Sequence, residues 1–162
     1  MKSTEMTYTE FDSRLFKLHN RVMDPEHFKL LDGTADDLTK WHRSNSPLQL
    51  DLKSADLSGR DLSGRDFSRA MLDGVNFSGS NLDDAVFTEA RMRYADFSGA
   101  SMNRAILYRS NCAGANLTDT DLAGASLYRC VLREAVISGA NFKAAKIYKV
   151  AWPEGYDVSA YG

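Results

Sequence analysis

This 162-residue chain has little cysteine, histidine or proline: two, three and three residues. Cys112 and Cys130 are too few for a disulfide framework and suit a reducing cytosol. His19, His27 and His42 have no zinc-ligand spacing and neither cysteine has a CxxC partner, so no metal or cofactor is expected. Phosphate-binding glycine loops, G-x-S-x-G elbows and H-x-E signatures are also missing, which leaves no candidate catalytic residue. No apolar run exceeds a few residues, so a membrane-spanning helix is not expected. Met1 to Glu10 are polar and read as no secretory signal, which makes the expected location cytoplasmic. Twenty basic residues against 22 acidic give a net charge of −2, which excludes a polyelectrolyte tail and a strongly basic nucleic-acid binder. What remains is one domain, 43% apolar, with enough material for a core.

What the chain does have is a period of five. From Leu52, every fifth residue to Ile147 is apolar, twenty in succession, among them Leu57, Phe67, Phe77, Phe87, Phe97, Leu107, Cys112 and Leu127. At the chain's apolar content such a run arises by chance less than about once in ten million. Two residues before each of these, the side chain is small in 17 of 20 cases, mostly Ala. Asp or Asn often stands between the two, as at Asp56, Asp61, Asn76 and Asp96. A helix needs a period near 3.6 and a strand a period of two, so neither fits. Each unit must instead make one short extended side and one turn. A large and a small apolar residue then point inward, and the amides bond to the coils above and below. That arrangement is a solenoid whose units bury their faces only against one another.

Segments such as Ala55-Asp56-Leu57-Ser58-Gly59 and Ala115-Asn116-Leu117 resemble the A-(D/N)-L-x-x consensus of the pentapeptide-repeat family. The resemblance covers roughly residues 50–149. It implies an all-β solenoid, a right-handed four-sided parallel β-helix of about five coils. At ~4.8 Å per coil the shaft would be roughly 24 Å long. One feature supports four sides independently: Tyr108-Arg109, Tyr128-Arg129 and Tyr148-Lys149 recur every twenty residues and so stack on one outer side.

The flanks break the period. Residues 1–46 read as a short α-helical N-terminal cap, 47–150 as the β-helix, and 151–162 as a C-terminal cap or tail. In the first, Phe11, Leu15, Leu18 and Val22 have helical spacing behind a Thr7/Glu10 capping box. Asp24-Pro25-Glu26 reads as a second helix start with Gly33 as its stop, and Thr34 to Arg43 as a third helix burying Leu38 and Trp41. The stretch from Gly33 to Pro47 is similar to the lead-in of many bacterial members of the family. Its expected job is to cover the open edge of the first coil, with a partner-binding helix hairpin as the alternative. Arg60 and Arg65 stand where the repeat wants a small residue, and are expected to reach out beneath these helices. Trp152-Pro153-Glu154-Gly155-Tyr156 is expected to roof the last coil, Pro153 by removing a ladder donor.

The surface suggests binding, not catalysis. Residues 46–90 hold 8 acids and 4 bases, and residues 91–150 hold 4 acids and 9 bases, so the rod is polar along its axis. The leading reading is a non-enzymatic module that binds a protein partner, of unknown identity, through its outer faces. Tyr108, Arg109, Tyr128, Arg129, Tyr148 and Lys149 would form the docking strip, since Tyr and Arg are enriched at binding hot spots. The same column could hold single-stranded nucleic acid, which is less favoured, or could be a stacked ladder serving stability alone. In the alternative reading, columns of Asp56, Asp61, Asp83, Asp84, Asp96, Asp119 and Asp121 imitate duplex DNA. The family resemblance then implies DNA gyrase or another DNA-handling enzyme as partner, and in gyrase-binding members the C-terminal end forms a homodimer. Asp and Asn between the inward residues also have a purely local use, since short polar side chains bond nearby backbone at turns.

Overall fold

The computed structural model describes residues 25–45 and 49–157. The expected Phe11–Val22 helix and its capping box, the tail beyond residue 157, and Pro47 lie outside them.

Parallel bridges join residues twenty apart without interruption, from Asp51–Met71 to Val131–Ala151. Four units of five therefore close one coil, and residues 51–150 make five coils. The units on Leu52, Leu57, Leu62 and Phe67 begin sides one to four. Each side contributes a single bridged residue instead of a continuous strand. Three backbone bonds per unit hold neighbouring coils together. On side two, Leu57 N–H donates to the Asn76 carbonyl at 2.8 Å and Gly59 N–H to that of Ser78 at 2.9 Å. Asn76 N–H donates back to the Ala55 carbonyl at 2.9 Å.

The corners explain why the period tolerates almost any outward residue. At every corner the second residue after the inward large one has a positive φ, between 54° and 71°, from Ser54 to Lys149. Together with bonds such as Ala70 N–H to the Phe67 carbonyl (3.0 Å), this is the type II turn pattern. Glycine fits such a corner without strain, yet twelve of the twenty carry another residue.

Inside, the large residues fill the axis and the preceding small residues leave room for them. Leu57, Phe67, Phe77, Phe87, Phe97, Leu107, Cys112 and Leu127 are all buried. Phe67 stacks on Phe87 and Phe77 on Phe97, each at 5.2 Å, and the two stacks meet edge to face. Below Phe97 the same sides continue with Leu107, Leu117 and Leu127, so these two sides of the lower core are aliphatic, while Phe142 is buried on side three. The Cys112 and Cys130 sulfurs lie 3.9 Å apart, unbonded; their mutual hydrogen bond and burial push the Cys112 thiol well above its ordinary pKa. In the last coil Ile137, Ala140, Ala145 and Ile147 are only half-buried.

Before the shaft, helix α1 (Pro25–Lys29) runs into a 3-10 turn (Leu30–Asp32), and helix α2 spans Ala35–Asn45. Leu31 and Leu38 join the same core as Leu50 and Leu52, while Trp41, expected to be buried, is partly buried and packs against that core. Gly33 breaks the chain as expected, in an extended conformation (φ −83°) and not a left-handed one. A Cβ there would meet Asp37 Oδ2 at 2.8 Å. That space lets Asp37 accept from Thr34 N–H (2.7 Å) and Thr34 Oγ1 (2.8 Å), capping α2.

The lead-in also bonds directly to the first coil. Arg60 pairs with Asp32 at 2.6 Å and lies over the Phe28 ring. Arg65, almost fully buried, donates to the Gly33 and Thr34 carbonyls. His27 Nδ1 accepts from Asp51 N–H at 3.0 Å, and His42 Nε2 meets the Asp66 carbonyl at 2.9 Å. Both backbone groups belong to the edge that an upper coil would otherwise pair.

At the far end Trp152 packs edge-on against Phe142 and Tyr156 against Trp152. The reading of Pro153 needs correcting. Ladder donors are the inward residue, the one before it and the second after it, and Pro153 holds none of these positions. The ladder ends because Leu132 N–H reaches Ala151 (2.7 Å) while the next bond, from Glu134 to Pro153, does not form.

Candidate docking surfaces

Side four brings the expected tyrosines together. Tyr108 stacks on Tyr128 with ring centres 5.4 Å apart and 19° between planes, and Tyr128 on Tyr148 at 4.9 Å and 25°. The twenty-residue register places each ring over the next coil's ring. Arg129 lies over the Tyr128 ring at 5.6 Å and Lys149 over Tyr148 at 5.2 Å. Arg109 differs, since its Nη1 pairs with Glu89 at 3.3 Å. Ile106, just above, is 39% exposed and Tyr148 54%. Among the described residues neither Arg129 nor Lys149 has a carboxylate within ion-pair distance.

The acidic columns are built differently. Asp56 Oδ1 accepts from Ser58 N–H at 3.1 Å and, from the coil below, Asn76 Nδ2 at 3.1 Å. The same pair of bonds recurs at Asp61 with Ser63 and Asn81, at Asp96 with Ser98 and Asn116, and at Asp121 with Ala123 and Asn141. Asp and Asn therefore alternate down side two from Asp56 to Asn116, and on side three the pairs Asp61–Asn81 and Asp121–Asn141 flank Ser101, each asparagine donating to the aspartate above it. The hydrogen bonds of Ser58 and Asn76 hold the Asp56 carboxyl below its ordinary pKa, and those of Ser63 and Asn81 do the same for Asp61. Asp83 accepts from Ser101 Oγ (2.6 Å) and from Asn103. Asp84 is clamped by Arg104 at 2.8 and 2.7 Å, which holds its pKa down. Asp119 leans over Gly139, where an added Cβ would sit 2.0 Å from its Oδ1.

Side one carries a cluster that sequence reasoning passed over. Asp73 lies between Arg91 (2.6 Å) and Arg93 (3.2 Å), and Lys53 and the exposed Tyr94 line the same open depression of about 520 Å³. Burial pushes the Asp73 carboxyl up, but the bonds from Arg93 and Arg91 together hold it lower. The signal was available, since Asp73–Arg93, Asp84–Arg104 and Glu89–Arg109 are all twenty residues apart. His27 and His42, set aside for lack of metal spacing, partner the edge of the first coil. No group of metal-ligating side chains, and no helix long and apolar enough to cross a membrane, occurs among the described residues.

A four-sided solenoid with a filled core and patterned outer columns is a structural or binding scaffold. The chain belongs to the pentapeptide-repeat family, whose model matches residues 51–88, 72–107 and 110–147, and which folds as right-handed four-sided β-helices. The crystal structure of a pentapeptide repeat protein (Rfr23) from the cyanobacterium Cyanothece 51142 is 22% identical. Its alignment covers 65% of this chain and 84% of that one with a TM-score of 0.63. A pentapeptide repeat protein of the Arabidopsis thaliana thylakoid lumen is 31% identical over 62% of this chain and 63% of that one, with a TM-score of 0.47. QnrB1, a plasmid-mediated fluoroquinolone resistance protein, aligns at 19% identity over 69% of this chain and 83% of that one, with a TM-score of 0.18. No curated protein matches the chain.

Proposed function

We propose that this protein is a non-catalytic, cytoplasmic binding module that engages a protein partner through side four of its shaft. The observation that carries the reading is the stacked Tyr108–Tyr128–Tyr148 strip, with Arg129 and Lys149 held over its rings and, among the described residues, no carboxylate in ion-pair contact with them. Stacking restricts the rings before any partner arrives, so docking costs little further side-chain entropy. The helices before the shaft serve as its cap, supplying His27, His42 and the Gly33 and Thr34 carbonyls to the first coil. The non-catalytic reading draws support from a core filled by side chains along the axis.

The DNA-mimic reading, with gyrase or another DNA-handling enzyme as partner, draws support from Asp56 and Asp61, exposed carboxylates that form no ion pair among the described residues, whereas Asp84 is neutralised by Arg104. The Asp–Asn alternation weighs against it. Within one column a charge recurs no more often than every second coil, about 9.6 Å, whereas duplex DNA carries one per ~1.7 Å of axis. Direct base stacking is disfavoured too, because the tyrosine rings already cover one another's faces. A homodimer through the half-buried C-terminal coil is a lesser option, which sedimentation would decide.

Capture from a host extract tests the reading. Bound protein should survive elution with duplex DNA and be lost with Arg129→Gln/Tyr148→Ala. Release by the duplex, with loss on changing Asp56, Asp61, Asp83, Asp84 and Asp96 to Asn, would move the function to the acidic columns.

A further inference from the structure

We infer that the occupant of the side-four strip is an acidic, extended segment of a partner protein, a proposal that rests on the docking reading above. Three observations converge on it. From Leu122 to Ala151 the chain contains one carboxylate, Glu134, and five bases, Arg129, Arg133, Lys143, Lys146 and Lys149. All five bases are exposed, and none forms an ion pair among the described residues. Uncompensated cations at this density repel one another, so a nearby anion gains from each of them.

The second observation is that the strip already makes, within the molecule, the contact it offers outside. Glu89 reaches down one coil to Arg109 at 3.3 Å, on the same side and at the same corner position as Arg129 and Lys149. Arg109 is thereby neutralised, while the two equivalents below it are not. A partner carboxylate at Arg129 would repeat the Glu89 contact one coil further on, ~4.8 Å away.

Third, the rings orient the cations without discharging them. Cation–π contact holds Arg129 and Lys149 in place, and the charges stay available to an incoming carboxylate. The ring faces that meet within the stack are spent on one another, so between Tyr108 and Tyr148 the strip presents mainly ring edges and phenol groups. Those suit hydrogen bonding and apolar side contacts, with Ile106 at the upper end, more than nucleobase stacking.

The test uses the whole protein and fluorescence anisotropy with three labelled probes: a ten-residue alternating Glu-Asp peptide, its Gln-Asn counterpart, and a ten-nucleotide single strand. The acidic peptide should bind at least tenfold more tightly than either of the others. Arg129→Gln with Lys149→Gln should weaken it at least tenfold, and Arg133→Gln, on side one, less than twofold, with unchanged circular dichroism throughout. Equal or tighter binding of the single strand would overturn the proposal in favour of nucleic acid. An Arg133 effect as large as that of Arg129, or no peptide binding, would overturn it as well. If the captured partner depends on Tyr148 and Arg129 but the acidic peptide fails to displace it, the acidic assignment falls and the docking reading stands. If capture ignores both residues, the docking reading itself falls.

Discussion

The upper three coils and the lower two are made from the same backbone and treat charge in opposite ways. In residues 51–110 most bases are engaged: Lys53 with Asp51, Arg60 with Asp32, Arg91 and Arg93 with Asp73, Arg104 with Asp84, Arg109 with Glu89. In residues 111–150 no ion pair forms among the described residues. The core divides at the same level, with four interlocked phenylalanines above and, below, mostly aliphatic side chains and thiols with the single phenylalanine Phe142. Exposed pairs contribute little stability individually, and although Asp56, Asp61 and Asp96 carry no ion pair among the described residues, the main effect of the pairs is to leave the upper surface with few free cations. The lower coils keep theirs. The difference teaches that a uniform scaffold can separate a segment whose cations are mostly paired from one whose cations are not.

The sharpest way to break that contrast is to remove its aromatic core. Phe77→Ala should destabilise the protein by about 3–5 kcal/mol, read by urea denaturation. Leu127→Ala, in the lower half, should fall at the low end of about 2–5 kcal/mol. Hydrogen exchange should then show the Phe77 variant losing protection first in coils 1–3, and equal loss throughout would mean that the halves are not separate units.

A second change acts between the halves. Gly114 sits at φ +68°, and an added Cβ would lie 2.5 Å from the Tyr94 ring. Gly114→Ala should cost about 1–3 kcal/mol in melting experiments. Adding Tyr94→Ala should recover the part due to the clash, leaving the backbone part.

Acid should expose the carboxylates of the upper half. Asp56, Asp61, Asp73 and Asp84 all have lowered pKa values in the folded chain. Their contribution is complete above the ordinary carboxylate range and is lost as pH falls through the folded values. Changing Asp73 and Asp84 to Asn should therefore flatten the acid side of the stability profile. An unaltered slope would show that these pairs carry no linkage.

The smallest effect belongs to the lower corners. Ala144 has φ 56° with an exposed side chain, so Ala144→Gly should raise stability by about 1 kcal/mol or less.

Most of this architecture was legible because a period of five leaves few ways to place an inward residue. The twenty-residue recurrence of the Tyr–Arg pairs gave the number of sides, and the rings do stack. Other parts depended on which atoms meet. Asp56 and Asp96 read as part of an acidic column, and what the sequence did not show is that Asn76 and Asn116 donate to the aspartates above them. The Thr34–Asp37 cap escaped notice because the capping-box pattern favours Glu or Gln in the last place. His27 and His42 could not be read at all, since what they bond is the edge of a coil and not a neighbour in sequence.

The unbroken twenty-residue register has one more consequence. Deleting five residues from the middle of the shaft would leave every inward position filled, yet turn all later columns by a quarter revolution. The tyrosines would then continue the line of a different side, whereas a twenty-residue deletion would only shorten the rod. Surface alignment in this molecule is a matter of counting, adjustable in steps of ninety degrees with the interior none the wiser.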